Sequence, residues 1–238
     1  MKLPEAVYFE YHTDSAAARA NRLRAAVLGA NDGIVSVAAL VVGVAGASGG
    51  SNQIFITGLA GLLAGALSMA VGEYVSVSSQ KDTEIALLEK ERFELDNFPE
   101  HELTELADIY EKKGLSRETA EVVAKELTTH DAFGAHAEAE LQLDPNDRTS
   151  PVQAAVASAV SFLAGALIPF VAILWPPAPL KIPVTFGAVL VALLITGIVS
   201  ARVSGAPMLK VTTRVVVGGM LAMLITFGIG KLFGVTTV

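Results

Sequence analysis

The chain has 238 residues, 52% of them hydrophobic, and a mean hydropathy of +0.53. Charged residues make up 17%, below the roughly 25% of an ordinary soluble domain. With no cysteine, the chain has no disulfide, thiolate metal site or cysteine nucleophile. The net charge of −7 conceals a segregation: residues 81–150 hold 19 of the 24 acids and 8 of the 17 Lys/Arg, a net of −11, while the rest of the chain stands at +4.

In chain order, residues 1–24 are polar, contain Pro4, His12 and Asp14, and lack the basic start, apolar core and cleavage site of a secretory signal. They read as a cytoplasmic tail, and the first hydrophobic segment is expected to be retained. About 20 apolar residues cross a bilayer as a helix, and five windows have that character: 25–47, 54–77, 152–175, 182–201 and 211–230. The expected division is transmembrane helices 1 and 2 over 25–80, an acidic helical domain over 81–150, and transmembrane helices 3–5 over 151–238. Lys and Arg collect on cytoplasmic flanks. Here Lys2, Arg19, Arg22 and Arg24 precede the first span, and Arg202, Lys210 and Arg214 surround the turn between the fourth and fifth. The turn 48–53 has none, the turn 176–181 has only Lys181, and the C-terminal end has Lys231. This alternation puts the N-terminus and the acidic segment in the cytoplasm.

The acidic segment reads as helices. From Ala66 to Phe98 only Gly72 interrupts a helix-compatible run, so the second span is expected to continue as one long helix to Pro99. A second helix is predicted over 100–113 with Gly114 as its stop. A third starts at Ser116, a suitable N-cap, with a bend near Gly134. Glu84, Glu91 and Glu94 share a face of the first helix, Glu102 and Glu105 pair on the second, and Glu138 and Glu140 lie near the end of the third, close to His136. Carboxylates so placed repel one another, and a bridging cation removes the penalty. The plain alternative is a solvated charged face, which Lys90 and Arg92 beside Glu91 suit; the absence of Lys and Arg between Glu94 and Glu111 speaks against it.

Within the spans, a carboxylate at mid-membrane costs on the order of 2.5–3.5 kcal/mol even on a lenient scale and marks a functional site by default. Asp32 lies seven residues into the first span, roughly 10 Å deep at 1.5 Å per residue. Met69 and Glu73, one turn apart on the antiparallel second span, reach about 12 and 6 Å. The three therefore fall at comparable depth. Carboxylates alone suit Mg²⁺ or Ca²⁺, whereas an added thioether favours Fe²⁺ and later metals. Packing filler is the alternative for Met69, local hydrogen bonding with Asn31 and Ser36 for Asp32, and snorkelling for Glu73.

The strings GANDGIVSV in the first span and SMAVGEYVSVSSQKDTE in the second closely resemble signatures of the vacuolar iron transporter family, and PVQAAVASAVSFLAGALIP resembles its third span. The resemblance covers nearly the whole chain. It implies a five-span fold, usually a homodimer, that exports Fe²⁺ from the cytosol against protons. It further implies pathway residues at Asp32 and Met69, and metal-binding glutamates at Glu91, Glu94, Glu102 and Glu105, with another at Glu138 or Glu140. The methionines that the family carries near that last glutamate are absent, because the insert contains no Met.

The expectation is therefore an all-α polytopic membrane protein, with five transmembrane helices and a helical cytoplasmic metal-binding insert between helices two and three. It would be a secondary exporter of Fe²⁺ in exchange for protons, not an enzyme, with Asp32, Met69, Glu73, Glu91, Glu94, Glu102, Glu105, Glu138 and Glu140 as metal ligands. Cation and proton compete for a desolvated carboxyl, which supplies the coupling, and no G-x-x-x-x-G-K-[ST] nucleotide loop is present. Export of Mn²⁺ or of divalent metals broadly, Zn²⁺ and Co²⁺ included, is one alternative. A membrane-anchored iron buffer or ferroxidase is another, although the insert has no Glu-x-x-His run of the di-iron type. No prosthetic group and no nucleic-acid partner is expected. The partners are metal ions, protons, the bilayer and a second copy. The membrane is a prokaryotic plasma membrane, or a vacuolar one in a eukaryote.

Overall fold

The computed structural model describes residues 16–47, 49–145 and 150–234, with side chains from residue 25 onward. The expected tail over 1–24 thus lies outside the described residues as far as residue 15, and the first helix begins at Ala16. All regular structure among the described residues is helical: α1 (Ala16–Gly46), α2 (Ser51–Asn97), α3 (Pro99–Lys112), α4 (Arg117–Ala139), α5 (Pro151–Leu174), a 3₁₀ turn (Ala178–Leu180), α6 (Lys181–Ser204) and α7 (Met208–Gly234). Five stretches are long and apolar enough to cross a membrane: Ala25–Gly46, Ser51–Asn97, Pro151–Leu174, Ala178–Ser204 and Met208–Gly234. The chain divides into two compact units, one holding the chain to Glu73 and from Val152 onward, the other Tyr74–Pro151.

In the first unit α1 is the central helix. Its Val37 and Val41 pack with Ile54, Leu62 and Ala66 of α2 and Phe162, Ala166 and Ile173 of α5. The adjacent row, Ile34, Ala38 and Val42, packs with Val189, Ala192 and Leu193 of α6 and Met223 of α7. Glycines set the closest crossings. A Cβ on Gly33 would collide with the backbone of Phe162 and Ala166, and one on Gly230 with the carbonyl of Gly43. Large apolar side chains such as Leu67, Val71, Val156, Leu224 and Ile225 point outward, the arrangement of a surface solvated by lipid rather than water. Several hydroxyls are satisfied within their own helices: Ser36, Ser161, Thr185, Thr196 and Thr226 each donate to a carbonyl four residues back, at 2.6–3.0 Å.

The second unit begins on α2, which stays unbroken for 47 residues, about 70 Å at 1.5 Å per residue. Pro99 then restricts Phe98 to a non-helical conformation (φ −133°, ψ 46°) and itself opens α3 at a position where its missing N–H is harmless. Gly114, at φ +107°, turns the chain after α3. Ser116 caps α4 by accepting a hydrogen bond from the Thr119 N–H at 3.3 Å. Leu106 and Ala107 of α3 pack on Ala124 and Ala139 of α4. The break in α4 falls at Asp131 (φ −159°, ψ 89°), three residues before the glycine expected to bend it. The Asp131 carboxylate accepts the Gly134 N–H at 3.0 Å, restarting the helix as an N-cap does. A Cβ on Gly134 would meet that carboxylate, so a side chain there would displace the cap.

The glycine crossings give a direct test. Gly230→Leu must push α7 off α1, whereas Gly228, two residues away, has open space around its would-be Cβ. Gly230→Leu is expected to cost at least 1–3 kcal/mol, roughly the range for overpacking, and to lower the melting temperature in detergent. Gly228→Leu should melt as the wild type does. Equal melting of the two variants would remove the close crossing.

Candidate functional site

The second unit brings four side chains of metal-ligating type together. Glu91 comes from α2, Glu102 from α3, His136 from the part of α4 beyond the Asp131 break, and Glu140 from the C-cap residue that follows α4. One ligand atom from each lies within 4.8 Å of the others. His136 is fully buried and Glu91 is 2% exposed. His136 Nδ1 stands 2.8 Å from Glu91 Oε1, and 3.7 Å from both Glu102 Oε2 and Glu140 Oε2. The 2.8 Å approach is not aligned as a hydrogen bond: Glu91 Oε1, Glu140 Oε2 and both imidazole nitrogens have no hydrogen-bond partner among the described residues. Buried polar groups are paired in nearly all native structures. Glu91 Oε1, Glu140 Oε2 and the imidazole Nδ1 converge without hydrogen-bond partners beside Glu102 Oε2, a donor set suited to a cation.

The Asp131 break is what aims this end of α4. Residues 138 and 140 stand about 200° apart around a helix at 3.6 residues per turn, so only one of them can face the cluster. Glu140 does, and Glu138 is exposed. Glu94 is taken by Lys90, whose ammonium donates to it at 2.7 Å. Glu105 belongs to a second, more open group with His101 and Glu102, in which His101 Nδ1 lies 3.4 Å from Glu102 Oε1 and 3.8 Å from Glu105 Oε2. Glu102 is common to both groups. The candidate ligand that sequence reasoning passed over is His136. Its signal was there in the i, i+4 spacing to Glu140, the spacing that puts two side chains on one helix face.

In the first unit, Asp32, Ser36, Ser68 and Met69 line one cavity of about 180 Å³, closed on its apolar side by Val37, Leu40 and Phe162 and admitted by the bare backbone of Gly61 and Gly65. Carboxylate, hydroxyl and thioether donors thus share a single space. Ser36 does not neutralise the acid, since its hydroxyl donates to the Asp32 backbone carbonyl at 2.6 Å. Asp32 is exposed and Met69 half-buried. Glu73 is half-buried one turn further along α2 and does not line the cavity.

Together these features define an all-helical, multi-pass membrane protein with candidate cation ligands in each of its two units. Residues 23–231 match the VIT family, and the chain belongs to it. It is 48% identical to the vacuolar iron transporter of Acanthamoeba castellanii over 211 residues, covering 88% of this chain and 78% of that protein. It is 40% identical to vacuolar iron transporter homolog 1 of Oryza sativa subsp. japonica over 218 residues, covering 91% and 76%. With vacuolar iron transporter homolog 2 of Arabidopsis thaliana it shares 36% over 217 residues, covering 91% and 86%.

The buried cluster stores a conflict that pH reveals. Burial first, and then the carboxylates of Glu140 and Glu102, push the Glu91 carboxyl up to about 7 from 4.5. An acid raised above its unfolded value holds its proton more tightly when folded. Its contribution to stability is therefore complete below about pH 4.5 and is lost as pH rises through about 7. The loss is on the order of a few kcal/mol. Metal-free protein should melt at a lower temperature at pH 8 than at pH 6, and Glu91→Gln should abolish that part of the difference and melt higher than the wild type at pH 8. Identical pH profiles for wild type and variant would rule out Glu91 as the strained group.

Proposed function

We propose that this protein exports Fe²⁺ from the cytosol in exchange for protons. Glu91, Glu102, His136 and Glu140 collect the metal, with Glu105 and Glu94 as neighbouring acceptors, and Asp32 and Met69 pass it through the membrane with Glu73 at the approach. The observation that carries this reading is the cavity lined by both Asp32 and Met69. A carboxylate there neutralises the cation, and a thioether favours Fe²⁺ and later metals over Mg²⁺ and Ca²⁺. The names of the relatives, vacuolar iron transporter and its homologs, support the same cargo. Proton exchange follows from competition: a desolvated carboxyl binds either a proton or a cation, so loading one expels the other.

Mn²⁺ is the second reading. It is favoured by the donor set of the buried cluster, three carboxylates and an imidazole without sulfur, since oxygen donors suit Mn²⁺. The Lys/Arg distribution supports a cytoplasmic N-terminus and a cytoplasmic Tyr74–Pro151 unit. A homodimer is supported by the exposure of Asp32 on a single chain; a second copy seated there would shield the carboxylate from lipid.

Two experiments test this reading. In liposomes with an imposed pH gradient, Asp32→Asn keeps size and hydrogen bonding but removes the charge, so Fe²⁺ uptake should collapse while insertion stays normal. Met69→Leu costs under about 1.5 kcal/mol in packing and should slow Fe²⁺ more than it lowers the melting temperature. Wild-type uptake by both variants would remove the cavity from the pathway, and uptake indifferent to the gradient would remove proton exchange. For orientation, Ser51→Cys should react with an impermeant thiol reagent from outside and Ser116→Cys only after the membrane is opened; the reverse pattern inverts the topology.

A further inference from the structure

A second feature of the first unit lies away from the cavity and takes no part in the metal pathway proposed above. Where α7 begins, an open groove of about 790 Å³ runs along one side of the helix. Lys210, Arg214 and Gly218 form a single row along it, each one turn after the last, with Leu209, Thr213 and Val217 beside them. The row changes character along its length: two cations and a hydroxyl near the start of the helix, then a bare glycine and an aliphatic side chain. All six residues are exposed. No atom lies within 4 Å of a would-be Cβ on Gly218, so the apolar end is open.

Arg214 is the informative residue. It is the only charged residue between Val211 and Gly230, about 9 Å along α7 at 1.5 Å per residue. Neither it nor Lys210 forms an ion pair with any described residue. Long helical side chains lean toward the helix N-terminus, which carries the guanidinium back toward the level of Lys210 and Thr213. Two cations with no ion pair among the described residues and a hydroxyl then share one end of this open face, near the end of a membrane-capable helix, with Val217 and Gly218 further along it. A guanidinium there requires a counter-anion or water, and a phosphodiester supplies two oxygens to its planar fork. The open apolar face at Val217 and Gly218 favours a lipid over a free anion, which would make no use of it.

We propose that this groove is a binding site for one anionic phospholipid, its phosphate held by Lys210, Thr213 and Arg214 and an acyl chain lying over Val217 and Gly218. The full-length protein in detergent is offered equal amounts of phosphatidylglycerol and phosphatidylcholine with identical acyl chains, and the retained lipid is counted by native mass spectrometry. One phosphatidylglycerol per chain should be retained in preference to phosphatidylcholine. K210Q/R214Q should reduce that preference by roughly 10- to 30-fold. G218L, which fills the acyl channel without altering charge and meets no neighbour, should lower phosphatidylglycerol retention while leaving the melting temperature unchanged. K231Q, at the other end of α7, should behave as wild type. The proposal is overturned if the wild type shows no preference between the lipids, or if the preference survives both groove variants. Displacement of the lipid by millimolar inorganic phosphate would also overturn it, as would disulfide cross-linking between chains at V217C, which would put a second copy in the groove.

Discussion

Hydrocarbon offers no hydrogen-bond partner, so every backbone N–H and C=O in a spanning segment must be paired inside its own helix. That constraint organises the molecule. It makes the five candidate spans helical, sends the hydroxyls of Ser36, Thr185 and Thr226 back to carbonyls of their own helices, and leaves shape as the main means of holding those helices together. Gly33 against Phe162 and Gly230 against Gly43 are the result, contacts in which backbone meets backbone because no side chain intervenes. It also sorts the charges. Residues that hydrocarbon would penalise collect in the Tyr74–Pro151 unit, and the few that remain in the spans stand out.

The two candidate sites differ in their donors and in what surrounds them. In the membrane unit, two glycines admit a small cavity where one carboxylate and one thioether share space, with few charges to desolvate. In the other unit, three carboxylates and an imidazole converge in a buried pocket, and the pocket is strained by its own ligands: Glu91 is pushed up to about 7 by burial and by Glu140 and Glu102. A site that is electrostatically unfavourable when metal-free is one in which a cation relieves repulsion as well as forming bonds. Hydrophobic packing of Leu106, Ala107 and Ala124 holds the helices in place against that repulsion.

What the sequence displayed and what it withheld divide by range. Spans are legible because twenty apolar residues in a row have few other uses, and the family because GANDGIVSV and SMAVGEYVSVSSQKDTE are long, specific strings. Pro99 and Ser116 act on their immediate neighbours, so the ends of α2 and α4 could be read locally. The break in α4 was read one turn too late, because Gly134 is the visible irregularity while Asp131 supplies the capping carboxylate. That displacement matters for the choice between Glu138 and Glu140, which the phase of the restarted helix decides. His136 was visible but its role was not, since its partners Glu91 and Glu102 lie on two other helices and no local spacing reports them.

The strain in the buried cluster bears on how long the protein survives in a cell. A ligand that binds only the folded form adds stability in proportion to the logarithm of its concentration, and small changes in folding free energy alter abundance through proteolytic turnover. On the proposed reading, the Glu91–Glu102–His136–Glu140 cluster makes the exporter's lifetime follow its cargo. Chains facing a metal-poor cytosol would carry the unrelieved repulsion and be cleared sooner, and chains facing a metal-rich one would persist. Export capacity would then rise and fall with demand through protein turnover alone, without any change in synthesis.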